Sequence, residues 1–148
     1  DEGLLRPSDV LQIGIRGPFA SGYDLSLARG RGVRIVMIDE IKQSFAAVAD
    51  SIEEFSARGK CYVSFDMDGV DPAYAPGTGT PVPGGMSSYE ALALVRRISG
   101  AHVVGGDVVE ISPDHDPSGN TALLAATVLA ELLAGETLRT VWDRHGIL

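Results

Sequence analysis

One cysteine, one tryptophan and no cluster of basic residues mark this chain before any motif does. With Cys61 alone, no internal disulfide can form, and the chain is compatible with a reducing, cytoplasmic setting. At the start of a strand Cys61 reads as a small buried hydrophobe. Lys and Arg number 12 against 20 Asp and Glu, a formal charge of −8, which argues against nucleic acid and against an anionic membrane surface as partners. A cationic or neutral ligand fits better. No uninterrupted apolar run approaches membrane-spanning length, and the opening Asp1-Glu2-Gly3 has neither methionine nor a basic, apolar leader. The expectation is a soluble protein with a processed, truncated or cloned start. No lysine follows Lys60, no Gly-Lys-Ser/Thr phosphate loop occurs, and internal repeats, low-complexity segments and linkers are absent.

What is present is a domain's worth of apolar residues, 45% of 148, enough for one core spanning residues 1–148. Val10–Ile15 (VLQIGI) reads as a first strand closed by Arg16, Gly17 and Pro18. Ser21 or Asp24 then caps a short helix ended by Gly30 and Gly32. The continuous apolar run Val33–Ile38 is expected of a strand buried on both faces in a parallel sheet. Asp39 and Glu40 follow it, and 45–55 carries a helical pattern. Cys61–Phe65 is the third strand. Ser87 or Ser88 caps a helix running to Gly100, His102–Ile111 is the fourth strand, and 121–133 is a helix apolar almost all round, expected to pack tightly on a sheet. Strand and helix alternate throughout. That order predicts a mainly parallel α/β sheet covered on both faces, with ligands bound outside the carboxyl ends of the strands. Asp39, Glu40, Asp66, Asp68 and Glu110 all fall at that rim.

The densest chemistry lies in Ser64–Gly85, SFDMDGVDPAYAPGTGTPVPGG. Asp66 and Asp68 are two apart at a strand end and can aim at one point. Two such anions repel unless a hard cation sits between them, and carboxylate oxygens suit magnesium, calcium or manganese. A solvated Asp-rich turn explains the pair equally well.

FDMDGV also resembles the first motif of haloacid-dehalogenase-like phosphohydrolases, and VGGDVVE imitates their later metal motif. That magnesium-dependent reading lacks the downstream lysine the family uses to hold phosphoryl charge, and it leaves PGTGTPVPGG without a role. It is the alternative. The whole span resembles, nearly residue for residue, the signature of the ureohydrolases, the arginase and agmatinase family. VVEISPDHDPSGNTALLAATVLAELL is similar to that family's closing strand and helix, and VLQIGIRG to its agmatinase branch.

The resemblance implies a three-layer αβα fold and hydrolysis of a guanidino compound to urea and an amine on a pair of Mn2+ ions. It implies Asp66 and Asp68 as metal ligands, Asp71 as their support, Thr80 as a lining of the substrate pocket, and Glu110 as the carboxylate that receives the guanidinium. Among the histidines, His102, His115 and His145 read as surface or structural, with His115 the one near the rim. The family's Gly-Gly-Asp-His and Asp-Ala-His-x-Asp stretches, which supply the other four ligands, do not occur here. The chain therefore resembles the C-terminal half alone, expected to be inactive by itself, and a non-catalytic remnant is a third reading. Gly106 stands where a bulkier residue is expected. The family's habit suggests a homo-oligomer for the complete protein, and agmatine, guanidinobutyrate and guanidinopropionate all stay open as substrates.

Overall fold

The computed structural model describes residues 3–18, 22–98 and 101–145, with side chains described outside 22–24 and 136–145. Along the chain run β1 (Leu11–Ile15), α1 (Gly22–Gly30), β2 (Arg34–Met37), α2 (Ile38–Ser56), β3 (Lys60–Asp66), α3 (Ser88–Arg97), β4 (His102–Val109) and α4 (Asn120–His145). The alternation is as the sequence predicts, in an αβα arrangement of parallel strands and helices. β1 pairs in parallel with β2, and β3 with β4, as helical crossovers require. Among the described residues these are two separate two-stranded sheets rather than one continuous ladder. A shared core joins them: Leu11 and Ile13 of β1 and Val36 of β2 pack with Ile41 and Ile52 of α2 and with Met67 and Val70 beyond β3.

α3 has a local cause. Ser87 Oγ accepts from the Glu90 N–H at 3.2 Å while Glu90 Oε2 accepts from the Ser87 N–H at 2.7 Å, a reciprocal cap that starts α3 where predicted. Arg96 and Arg97 in the last turn of α3 suit its negative end. Arg96 Nε donates to Glu131 of α4 at 2.9 Å, and Arg97 pairs with Asp50 and Glu53 of α2.

Several expectations are corrected. The helix predicted for 45–55 begins at Ile38, directly after β2, and breaks at Ser44 (φ −147°, ψ 54°). Asp39 and Glu40 lie in its first turn, and Glu40 Oε1 accepts from the Met37 N–H at 2.8 Å, so these acids start a helix instead of extending the carboxylate rim. Asp24 lies inside α1, not at its cap, while Ser21 and Gly100 fall outside the described residues. β4 stops at Val109, two residues short of the expected end.

The expected burial on both faces holds at β2, where the adjacent Ile35 and Val36 are both buried, while among the described residues β3 and β4 are covered on one face only. Cys61, Val63 and Phe65 point to the helical side, where Val63, Phe65 and Val108 pack against Val95, Val128 and Leu132. Tyr62 and Ser64 lie on the opposite, open face; Tyr62 is 64% exposed. α4 is likewise buried along Leu124, Ala125, Val128 and Leu132 and open along Leu123, Leu129 and Leu133. Gly106 is no packing defect: a Cβ there would come 2.8 Å from the Val63 carbonyl oxygen on the paired strand, so the close approach of β4 to β3 needs the glycine. Among the described residues no helix is long and apolar enough to cross a membrane.

Candidate metal and substrate site

β3 delivers Asp66 at its last residue, and a short 3-10 turn over Met67–Gly69 delivers Asp68. The Met67 side chain is fully buried and anchors that turn in the core. Asp66 Oδ1 accepts from the Asp68 N–H at 3.0 Å, which fixes the spacing of the two carboxylates. Val70 bridges in parallel to Met86, with Asp71 N–H to Met86 O at 2.8 Å and Met86 N–H to Gly69 O at 3.1 Å. The intervening Gly/Pro-rich segment is thus a loop closed at its base.

Asp71 sits inside that closure. Its Oδ1 accepts from the Ala73 N–H at 2.9 Å and its Oδ2 from the Gly84 and Gly85 N–H groups at 2.6 and 3.0 Å. The Ala73 N–H above all, with those of Gly84 and Gly85 and the charge of Arg16, holds its carboxyl below the usual range, against the opposing effect of burial. All of these contacts are with the loop itself. Thr80, midway along the loop, donates its hydroxyl to Asp68 Oδ2 at 2.8 Å.

Glu110 reaches the same rim from β4. Asp66 is in register with Val109, so Glu110 follows one residue beyond the partner of Asp66. Its backbone is left-handed, φ 60°, a conformation that costs a non-glycine residue on the order of 1 kcal/mol and is met at functional sites. The backbone of Gly79, next to Thr80, passes near its carboxylate, since a Cβ on Gly79 would lie 3.9 Å from Glu110 Oε2. Asp66, Asp68, Thr80 and Glu110 are thus gathered at one end of the β3–β4 pair. Burial above all pushes the Asp66 carboxyl upward, and repulsion from Asp68 and Glu110 adds to it, opposed by the hydrogen bond from the Asp68 N–H.

Further residues frame the site that the sequence reading passed over. Arg16, read there only as a strand terminator, donates to the carbonyls of Asp68, Val70 and Val82. Asp107 on the open face accepts from Tyr62 Oη at 2.7 Å and Ser64 Oγ at 2.6 Å, a polar stripe leading along β3 to Asp66. Strand alternation puts Tyr62, Ser64 and Asp66 on one face, and that signal could have found the stripe. Buried Asp116 binds the N–H of Thr121 at 2.6 Å and both polar groups of Ser118. Thr121 Oγ1 accepts from the Gly77 N–H at 2.8 Å, and the Ser112 N–H donates to Gly77 O at 2.7 Å, tying the loop to α4. The Asp-x-Ser pattern ahead of an apolar run is a legible helix-start signal. His115 lies 3.1 Å from Thr78 O through Nδ1, a tie to the same loop. His102 is exposed at the start of β4, and His145 ends α4.

Asp66 and Asp68 offer hard oxygen donors of the kind manganese or magnesium takes, with Asp66 Oδ1 engaged by the Asp68 N–H and Asp68 Oδ2 by the Thr80 hydroxyl. Among the described residues no group of three or more His, Cys, Asp or Glu is placed to hold a metal, so these two fit as part of a ligand set. The apolar hollow of about 460 Å³ lined by Leu5, Val10, Leu27 and Val33 lies at the opposite, amino ends of the strands and has none of this chemistry.

Fold and rim define a parallel αβα domain that gathers carboxylates where its strands end, the place where open α/β sheets bind ligands. The chain belongs to the arginase family, whose model matches residues 1–135. It is 48% identical over 134 residues to proclavaminate amidinohydrolase of Streptomyces clavuligerus, covering 90% of this chain and 43% of that protein. It is 47% identical to guanidinopropionase of Pseudomonas aeruginosa and 44% identical to the mitochondrial agmatinase of Gallus gallus, covering 42% and 39% of those proteins. The solved structure of the Streptomyces clavuligerus hydrolase superposes with a TM-score of 0.84 at 46% identity, over 93% of this chain and 46% of that one. The chain thus spans less than half the length of its relatives, as a C-terminal-type portion. These matches give the phosphohydrolase alternative no support.

Proposed function

We propose that this chain supplies the substrate-facing carboxylate and two metal ligands of a guanidino hydrolase, which releases urea and an amine once the remaining ligands are brought by a further segment or chain. The observation that carries the reading is the convergence of Asp66, Asp68, Thr80 and Glu110 on one rim, in a chain nearly half identical to relatives named for amidino and guanidino substrates.

Guanidinium is planar, cationic and resistant to attack by water. Glu110 receives it through paired, charge-assisted hydrogen bonds and fixes its plane. Asp66 and Asp68 would hold manganese, which would supply a water of lowered pKa and positive charge. Thr80 keeps the Asp68 carboxylate turned and lines the guanidinium pocket. Asp71 keeps the loop rigid enough for Thr80 to stay there. Water adds to the guanidino carbon, the bond to the alkyl nitrogen breaks, and the leaving amine takes up a proton. The guanidine group alone is read here, so agmatine-like and guanidino-acid substrates both satisfy this half of the site.

The test is Glu110→Gln in an assembly that contains the other ligands, on one polypeptide or two. Manganese content by elemental analysis stays unchanged, while urea release falls by roughly thirty- to several-thousand-fold, the equivalent of about 2 to 5 kcal/mol for one lost charge-assisted partner. Loss of metal in parallel with activity would make Glu110 a ligand and end this assignment.

A further inference from the structure

We propose that Arg16 is a positioning residue, a guanidinium clamp that sets the turn bearing Asp68 and the loop bearing Thr80 in fixed relation. Arg16 follows the last residue of β1 and reaches across to both. Its Nη2 donates to Asp68 O at 2.6 Å, to Val82 O at 2.6 Å and to Val70 O at 3.3 Å, and its Nε donates to Val82 O at 3.1 Å. One side chain therefore grips peptide groups on both sides of the closed loop. The partners are carbonyls, so the planar fork matters as much as the charge; an ammonium cannot present Nε and Nη2 in the same plane.

The consequence falls on Asp68. Its carbonyl is held by Arg16, its N–H by Asp66 Oδ1 and its carboxylate by Thr80 Oγ1, so backbone and side chain are constrained together. The backbone at Gly85 runs so close to the clamp that a Cβ there would lie 2.9 Å from Arg16 Nη2 and 2.5 Å from the Asp71 nitrogen. The site needs that fit, since a carboxylate displaced by about 1 Å loses much of its catalytic value. The inference rests on the proposed function only for what Asp68 and Thr80 do with their positions.

Amide hydrogen exchange on this chain, compared with Arg16→Met and Arg16→Lys, tests it. In Arg16→Met the amides of Asp71, Gly84, Gly85 and Met86 exchange about tenfold faster, while those of Val63, Phe65 and Val108 in the sheet stay within about twofold. Arg16→Lys restores part of that protection. No acceleration at the four loop amides overturns the proposal, and so does acceleration spread equally through β3 and β4, which would make Arg16 a general stability contact. Should Arg16→Met fail to fold, Arg16→Lys is read on the same amides, with intermediate, loop-confined acceleration expected and an unchanged or uniform pattern overturning the clamp. Absence of urea release from the assembled protein leaves these exchange rates untouched, so the two readings fail separately.

Discussion

Asp66 is where charge and burial conflict. Its carboxyl is pushed above the ordinary 3.8, so ionising it costs the folded state free energy, and that cost grows as pH rises from 3.8 through the folded value. Asp66→Asn, free of metal at neutral pH, is therefore expected to unfold at a higher urea concentration than the unsubstituted chain. The difference should vanish below about pH 3.8, where both states are protonated. Added manganese should reverse the order, because the asparagine binds it less well. A metal-free Asp66→Asn variant that is less stable at pH 7 would mean that neither the burial of the Asp66 carboxylate nor its repulsion costs the fold free energy there. The pair itself was legible, since two aspartates at the end of an apolar strand can be placed by alternation alone. The clamp on it was not, because Arg16 meets Asp68 and Val82 across 52 and 66 residues of sequence. The left-handed backbone of Glu110 gave no sign either, since nothing in the residue type calls for it.

At the scale of elements, capping decided what could be read. Ser87 and Glu90 form their cap within four residues, so α3 was placed from local sequence. α2 was placed late because Asp39 and Glu40 look like loop acids until the Met37 N–H is seen to need a partner. The start of α4 depends on Asp116, whose carboxyl the Ser118 hydroxyl, then the Thr121 N–H and hydroxyl, lower to about 2. A group depressed in the folded state contributes stability that is complete above its unfolded value near 3.8 and is lost as pH falls toward 2. Asp116→Asn keeps an acceptor for the Thr121 N–H and removes the titration. Its thermal midpoint should accordingly fall less steeply than that of the unsubstituted chain between those two pH values. Equal slopes would assign the acid sensitivity to another carboxylate. The loop anchored at Gly77 should loosen with Asp116 protonation, since Thr121 links the two.

Over the whole molecule, the sequence pattern anticipated more burial than this chain provides. The nearly all-apolar α4 packs on the sheet as expected, through Val128 and Leu132, yet Leu123 is 68% and Leu133 70% exposed, and the Tyr62 face of β3–β4 lies open as well. Periodicity reports which residues can be buried, not which element covers them, and this chain spans 43% of its Streptomyces clavuligerus relative. The same incompleteness governs the chemistry. A hard divalent cation prefers about six oxygen or nitrogen donors, and the rim of this chain offers the carboxylates of Asp66 and Asp68, leaving most positions to water. The purified 148-residue chain is therefore expected to bind manganese weakly and to release no urea from agmatine or guanidinopropionate above a metal-only blank. A polypeptide bringing the family's Asp-Ala-His-x-Asp stretch should raise manganese retention through dialysis and urea release together when mixed with it. Urea production by the chain alone would show that the two aspartates and Glu110 suffice, and the dependence on further ligands would have to be given up.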